Sequence, residues 1–373
     1  MKLGFLIYSY FPYGGQQRDF HRIVSECIER GHEVDIYTLS WQGERPRGAQ
    51  VTLVPAKGFS RLQTYRRFTR WTSENIARNP VDLVIGFNKM PGLDIYFAAD
   101  PCFAQKADLQ RGAYYKFTPR YHHFKKYEQA VFGPSSNTAV WILSPLQYQA
   151  FESYYPGCGK RLFQVPPGID EDRKHSADSS TIRQSLRNEL SLDSESLLIL
   201  QVGSGFKIKG VDRSLTAVAS LPDELKKRVT YILIGQDKPA KYLSMARKLG
   251  LEKQFRVLPG RDDIPRFLFG ADLLIHPAYS ESAGYVLLEA TIAGLPVLTT
   301  ATCGYSLHIK QAGSGLVCDE PFDQEDLNTK LQYMLLAPER SDWITNGLEY
   351  GNNDELYSLA TAAADFIDRF QIN

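Results

Sequence analysis

Apolar residues along this chain recur with two different periods, and their alternation predicts the fold. Leu3 to Tyr8 (LGFLIY) is an apolar run of strand length, and Phe20, Ile23, Val24, Cys27 and Ile28 then mark one helical face. Gly31 is placed to stop that helix before a second strand over Glu33 to Leu39. More short strands are predicted at Val81–Gly86, Leu93–Ala98 and Ala139–Leu143. A second series begins with a strand over Leu197–Gly203, a polar turn and a helix near Asp212–Ser220. Strands over Thr230–Gly235, Phe255–Leu258, Asp272–His276 and Pro296–Thr300 follow, separated by helical stretches. The last segment, Asp354 to Phe370, is alanine-rich, amphipathic and predicted helical. Strands alternating with helices indicate an α/β protein with doubly wound, mainly parallel sheets.

Between the two series, Phe163-Gln-Val-Pro-Pro-Gly-Ile-Asp170 reads as a linker, since adjacent prolines and a glycine suit neither a helix nor a sheet interior. The polar run Asp170 to Ser180 supports a boundary there. The predicted organisation is one Rossmann-like domain over 1–168, a second over 169–353, and a terminal helix over 354–373 returning to the first. Ligands in such sheets bind at the carboxyl ends of the strands, so two halves facing across a cleft is the expected architecture.

Length agrees: 373 residues are too many for one ordinary core. The formal net charge of +1 gives no global field for nucleic acid, so any electrostatic partner must be read from local clusters. Five cysteines, Cys27, Cys102, Cys158, Cys303 and Cys318, are scattered and never form CxxC, which fits a reducing compartment and argues against a disulfide scaffold or a zinc site. The start, MKLGFLIYSYFPYGG, runs straight into a glycine turn and reads as a first strand, not a signal peptide. No run of about 18 apolar residues suggests a spanning helix, and a cytoplasmic location is expected.

The stretch YSESAGYVLLEATIAGLPVLTT, Tyr279 to Thr300, places two acids around the start of a helix. The predicted strand ending at His276 delivers Pro277 to Ala283 as a loop, and Gly284 to Ala293 form a helix closed by Gly294. The amides near Ala283, Gly284, Tyr285 and Val286 head that helix and offer a site for a phosphate. Gly284 lets a ligand approach, Glu281 precedes the helix, and Glu289 is placed to accept hydrogen bonds from ribose hydroxyls. Both glutamates are also simply favourable acids for a helix's first turns. With the following Thr291-Ile-Ala-Gly-Leu-Pro296, the pair resembles the E-x7-E signature of retaining glycosyltransferases of family four, which have the GT-B fold.

Other stretches extend the resemblance. Gln201-Val-Gly-Ser-Gly-Phe-Lys-Ile-Lys-Gly-Val-Asp212 ends a strand in a glycine turn carrying Lys207 and Lys209, cations suited to a diphosphate leaving group. The family usually has an arginine and a lysine here; Lys209 matches the lysine, but Ile208 stands before it. Phe11-Pro-Tyr-Gly-Gly-Gln-Gln-Arg-Asp19 resembles the family's first-domain glycine loop, with Gly15 allowing close approach and Asp19 reaching sugar or acceptor. Gly86-Phe-Asn-Lys-Met-Pro-Gly-Leu-Asp-Ile-Tyr-Phe-Ala-Ala-Asp100, Pro166-Pro-Gly-Ile169 with Arg173, and Pro259-Gly-Arg-Asp262 carry it along nearly the whole chain. Together these resemble the glucosyltransferases of the lipopolysaccharide core within family four. That implies UDP-glucose as donor, a heptose of the inner core as acceptor and an α-1,3 bond. By the same resemblance Arg173 and Arg261 join the donor site. Asp100 stands where many relatives carry a histidine near the sugar, and could bind a sugar hydroxyl.

Finally, Phe103 to Phe132 interleaves Arg111, Lys116, Arg120, Lys125 and Lys126 with Tyr114, Tyr115, Phe117, Tyr121, Phe124 and Tyr127. Such a stretch suits an anionic membrane surface; it also suits single-stranded nucleic acid, or a solvated cationic face over buried aromatics. A lipid-linked acceptor favours the first, with peripheral attachment to the cytoplasmic face of the inner membrane and no nucleic-acid partner. His122-His123 lack nearby ligands for a metal, and no cofactor or tightly held metal is expected. A GT-B enzyme using another UDP-sugar, an epimerase acting on a UDP-sugar and a non-catalytic nucleotide-sugar sensor remain alternatives.

Overall fold

The computed structural model describes residues 1–12 and 14–370; Tyr13, inside the first glycine loop, and the last three residues lie outside it. The chain divides into two compact units. One comprises Met1–Gly168 with the segment from Ser358 onward, and the other Ile169–Tyr357.

The first unit holds a parallel sheet of seven strands among the described residues. Its order is Ala49–Leu53, Glu33–Thr38, Lys2–Leu6, Leu83–Gly86, Ile95–Phe97, Ala139–Ile142, Leu162–Gln164. The second unit's sheet runs Phe255–Leu258, Val229–Ile234, Leu197–Val202, Leu273–His276, Val297–Thr300, Gly315–Cys318, again all parallel. In each sheet the first strand of the series lies centrally, with the second on one side and the fourth on the other. That is the doubly wound order, and its switch point lies between those central strands. Central strands such as Val229–Ile234 are wholly buried, as a parallel sheet covered on both faces requires.

The strands absent from the sequence reading share a physical cause. Ala49–Leu53, Leu162–Gln164 and Gly315–Cys318 are all sheet edges, short and partly exposed, without a continuous apolar run. Leu162–Gln164 takes the first two residues assigned to the linker, which narrows to Val165–Asp170. Ser9–Tyr10 and Ser40–Trp41 form a separate two-stranded pair with stacked rings, Tyr10 over Trp41 at 3.9 Å.

The terminal segment is not one helix. Asp354–Tyr357 is a 3-10 turn in the second unit, and Leu359–Arg369 is the α-helix of the first, so the chain returns at Ser358 and not at Asp354. The helix is docked by Arg30, whose Nη1 reaches Asp365 at 2.6 Å and Asp368 at 2.9 Å, and by Phe366 against Trp141.

Candidate active site

In the second unit the loops leaving the two central strands meet. The first strand, Leu197–Val202, turns through residues 203–210; the fourth, Leu273–His276, turns through 277–284. The turns are joined by the Tyr279 amide donating to the Ile208 carbonyl at 2.8 Å, and by Arg213 lying 3.7 Å over the Tyr279 ring. Gly210, at φ +70°, is required: a Cβ there would lie 2.0 Å from the Pro277 carbonyl oxygen. The turn bearing Lys209 is held from beneath, because Gln201 Nε2 donates to the Lys209 carbonyl at 2.7 Å.

This geometry brings Lys209 onto Glu281. Lys209 Nζ is in direct contact with Glu281 Oε1, and the other carboxylate oxygen lies 2.6 Å from His276 Nε2. A carboxylate only accepts, so Nε2 carries the imidazole proton; Nδ1 is buried without a hydrogen-bond partner among the described residues. Burial alone would raise the Glu281 carboxyl, but the charge of Lys209 and the bond to His276 outweigh it and hold the group far below the usual carboxylate range. The Glu281 backbone is pinned by its own amide to the Thr302 carbonyl at 3.1 Å and by the Gly304 amide to its carbonyl at 3.0 Å.

His276 is the residue that sequence reading missed. It is wholly buried at the carboxyl end of a central strand, five positions before Glu281. A polar residue closing an otherwise apolar strand, next to an acid-bearing loop, was the available signal. Cys303 lies with His276 and Glu281, their ligand atoms all within 4.8 Å of one another. This is a poor metal site at neutral pH: Lys209 already neutralises the carboxylate, and burial pushes the Cys303 thiol up to about 11.

The helix of the signature runs Tyr285–Ile292, with Gly284 at φ +102° as its N-cap. The amides of Gly284, Tyr285 and Val286 therefore stand at the helix's N-terminus, where an anion is favoured, whereas Ala283 lies ahead of the cap. Glu289, 5% exposed, lies one turn in, with Arg173 Nε 3.9 Å from its Oε1. Arg173 is itself buried in the turn Glu171–Arg173 and also pairs with Asp172. Arg261, after the strand Phe255–Leu258, is committed to Asp263, with Nη2 at 2.8 Å, and its guanidinium lies 4.6 Å over the Phe267 ring. Lys207 is exposed and makes no ion pair among the described residues, whereas Lys209 is the paired cation.

Three residues lie in the first unit. Gly15 does not sit in a turn; it is the first residue of the helix Gly15–Glu29. Asp19, 1% exposed, is on that helix and accepts from Arg22 Nη1 at 2.9 Å. Asp100 is exposed in the loop after Ile95–Phe97.

The basic, aromatic segment folds as Phe103–Gln110, a 3-10 turn Ala113–Phe117 and the helix Pro119–Phe132. Leu109, Tyr114 and Phe117 are largely exposed, beside Arg111, Arg120 and Lys126. Lys125 departs from the expected outward set: it donates to the Tyr155 hydroxyl at 3.0 Å and covers that ring, so its charge faces inward. Lys116 is already paired with Asp108 at 2.7 Å.

Two doubly wound units, one carrying a lysine–glutamate pair at its switch point and an acid-bearing helix beside it, define a GT-B glycosyltransferase fold. The chain matches the profile of the family "Glycosyl transferases group 1" over residues 182–350. It is 44% identical over 368 residues to the lipopolysaccharide glucosyltransferase WaaG of Escherichia coli (strain K12), covering 98% of each chain. The chain belongs to this glycosyltransferase family. A crystal structure of WaaG, described as a glycosyltransferase involved in lipopolysaccharide biosynthesis, superposes with a TM-score of 0.93 at 43% identity, over 99% of this chain and 100% of that one. HepE of Anabaena, solved in complex with UDP-glucose, shares the fold at a TM-score of 0.78 and 17% identity, over 99% and 100% of the two chains.

Proposed function

We propose that this glycosyltransferase moves glucose from UDP-glucose to a heptose of the lipopolysaccharide inner core, with retention and in α-1,3 linkage. The observation that carries the reading is the 44% identity with a lipopolysaccharide glucosyltransferase along essentially the full length of both chains.

The site's own chemistry supports a diphosphate donor. Negative charge grows on the diphosphate as the bond from sugar C1 to the phosphate oxygen breaks. In this reading Lys209 and the amides from Ala283 to Val286 offset it, supported by the meeting of the Lys209 turn with the loop that leads into the signature helix. The acceptor hydroxyl attacks C1 from the face the leaving group vacates and gives its proton to a departing phosphate oxygen, so UDP leaves as the glycoside forms. Glu281 acts first as the counter-ion that positions Lys209, and then steadies positive charge developing on the sugar ring. Glu289 and Arg173 hold the ribose, Arg261 flanks the nucleotide, and Lys207 is an additional cation at the turn. Asp19, Gly15 and Asp100 are assigned to sugar or acceptor by the resemblance alone. The reading invokes no tightly bound metal.

Among the described residues no helix is long and apolar enough to cross a membrane. The exposed Tyr114 and Phe117 with Arg111, Arg120 and Lys126 support peripheral attachment to an anionic membrane surface, which a lipid-linked acceptor requires. The deciding experiment measures UDP release with a panel of UDP-sugars and lipopolysaccharide truncated at the inner-core heptose. Turnover is expected with UDP-glucose and acceptor together; equal release without acceptor, or with another UDP-sugar preferred, refutes it.

A further inference from the structure

A second cationic surface lies in the first unit, outside every motif of the active site. Between residues 57 and 78 the chain carries Lys57, Arg61, Arg66, Arg67, Arg70 and Arg78 against the single acid Glu74, a balance of +5. The whole chain carries +1, so everything outside this segment amounts to −4. Such a concentration on one helix, which alone carries +4, and the turn before it is not a by-product of an overall basic protein.

The helix Arg61–Arg78 buries Phe68 and Thr72 against its unit. At 3.6 residues per turn, Arg66, Arg67, Arg70 and Arg78 fall on the arc opposite those two. All four are exposed. Arg67 and Arg78 donate to the carbonyls of Lys57 and Glu74, contacts that leave their charge unneutralised. Ahead of the helix, Phe59 is 102% exposed, its whole ring in solvent.

The helix borders the segment already read as a membrane contact. Tyr65 lies 6.4 Å from the rings of both His123 and Phe124, and the Tyr127 hydroxyl donates to Thr69 at 3.1 Å. Burial, with the nearby charge of Arg66, pushes His123 down to about 4, so this imidazole adds no positive charge at neutral pH.

We propose that the helix Arg61–Arg78, tipped by Phe59, is a second docking element of this unit for an anionic phospholipid bilayer. An interfacial helix joins a cationic face to an apolar group that enters the headgroup layer, and here both belong to one element. A soluble polyanion without bases to stack, such as a polyphosphate, would use the arginines but not a fully exposed phenylalanine. The proposal rests on the membrane reading of 103–132 but stands on different residues.

The test uses the full chain and vesicles of phosphatidylcholine with about 30% phosphatidylglycerol at about 0.15 M salt, against phosphatidylcholine alone. The triple variant Arg66→Gln/Arg67→Gln/Arg70→Gln is expected to partition about 100-fold more weakly into the anionic vesicles. Phe59→Ser is expected to lose about 10-fold, and Arg66→Lys/Arg67→Lys/Arg70→Lys to retain binding. UDP-dependent thermal stabilisation reports that each variant is folded. Wild-type partitioning by the triple glutamine variant overturns the proposal. So does a loss confined to binding of the delipidated acceptor saccharide, which would make that glycan the occupant. If the wild type itself ignores anionic vesicles, the reading of 103–132 falls as well. If Arg111→Gln/Arg120→Gln/Lys126→Gln abolishes binding and the helix variant does not, only the present proposal falls.

Discussion

Lys209→Ala separates the structural from the chemical role of the site's central pair. Side-chain exposure is 19% for Lys209 and 15% for Glu281, so the pair lies between a surface contact and a buried one. Exposed pairs contribute up to about 1 kcal/mol, and breaking a buried pair costs about 3–5 kcal/mol. Lys209→Ala is therefore expected to cost about 2 kcal/mol at pH 7, mainly by stranding the Glu281 charge. Glu281→Gln keeps an acceptor for His276 and strands no anion, so the double variant should unfold within about 1 kcal/mol of Glu281→Gln alone. The pH dependence has a definite sign. The folded-state carboxyl is depressed below its ordinary value of 4.5, so its stabilisation is full above that value and drains away as pH falls below it. In Lys209→Ala burial is no longer outweighed by the lysine, the carboxyl titrates higher, and the variant loses less on acidification. Urea unfolding of the four proteins from pH 7 to pH 4 should show the deficit of Lys209→Ala narrowing with acid. A deficit independent of pH, or strictly additive single effects, refutes the assignment. Turnover should fall at least 100-fold in Lys209→Ala even where it is folded, if Lys209 is the proposed leaving-group cation.

Glu289→Ala should raise the KM for the sugar nucleotide about tenfold with a smaller change in kcat, and an unchanged KM removes the ribose role. Gly210→Ala puts a Cβ 2.0 Å from the Pro277 oxygen at φ +70°, and is expected to cost at least about 3 kcal/mol, read as a fall in Tm. Asp272→Asn leaves Arg183, Arg187 and Arg340 sharing no carboxylate, and should lower stability by about 3 kcal/mol in urea unfolding. Lys125→Gln should weaken vesicle binding less than Lys126→Gln does, because the Lys125 ammonium already lies on Tyr155; equal losses contradict the inward orientation.

Local features were legible, and features assembled from distant residues were not. The strand-loop-helix around Glu281 and Glu289 is continuous in sequence, so its apolar run and flanking glycines expose both acids. The contact of Lys209 with Glu281 spans 72 positions, and only the pairing of Leu197–Val202 with Leu273–His276 brings the two turns together. Asp272 is more hidden still. It gathers Arg183 and Arg187 from one helix and Arg340 from another, and nothing in its own neighbourhood announces a buried carboxylate with three guanidinium partners. The orientation of Lys125 was beyond periodicity too, since a lysine's long stem can carry its charge outward or inward from one helical position.

The amino-acid sequence by itself determined the alternation of strand and helix, the division into two α/β units and the glycine-headed start of the signature helix. Those follow from propensity and periodicity, which act over a few residues. Tertiary structure alone decided the ionic state and partners of Glu281, the place of His276 beside it, and which cations of the basic segments face outward. Those depend on burial and on charges brought close by sheet order, and Coulomb interactions take no account of distance along the chain.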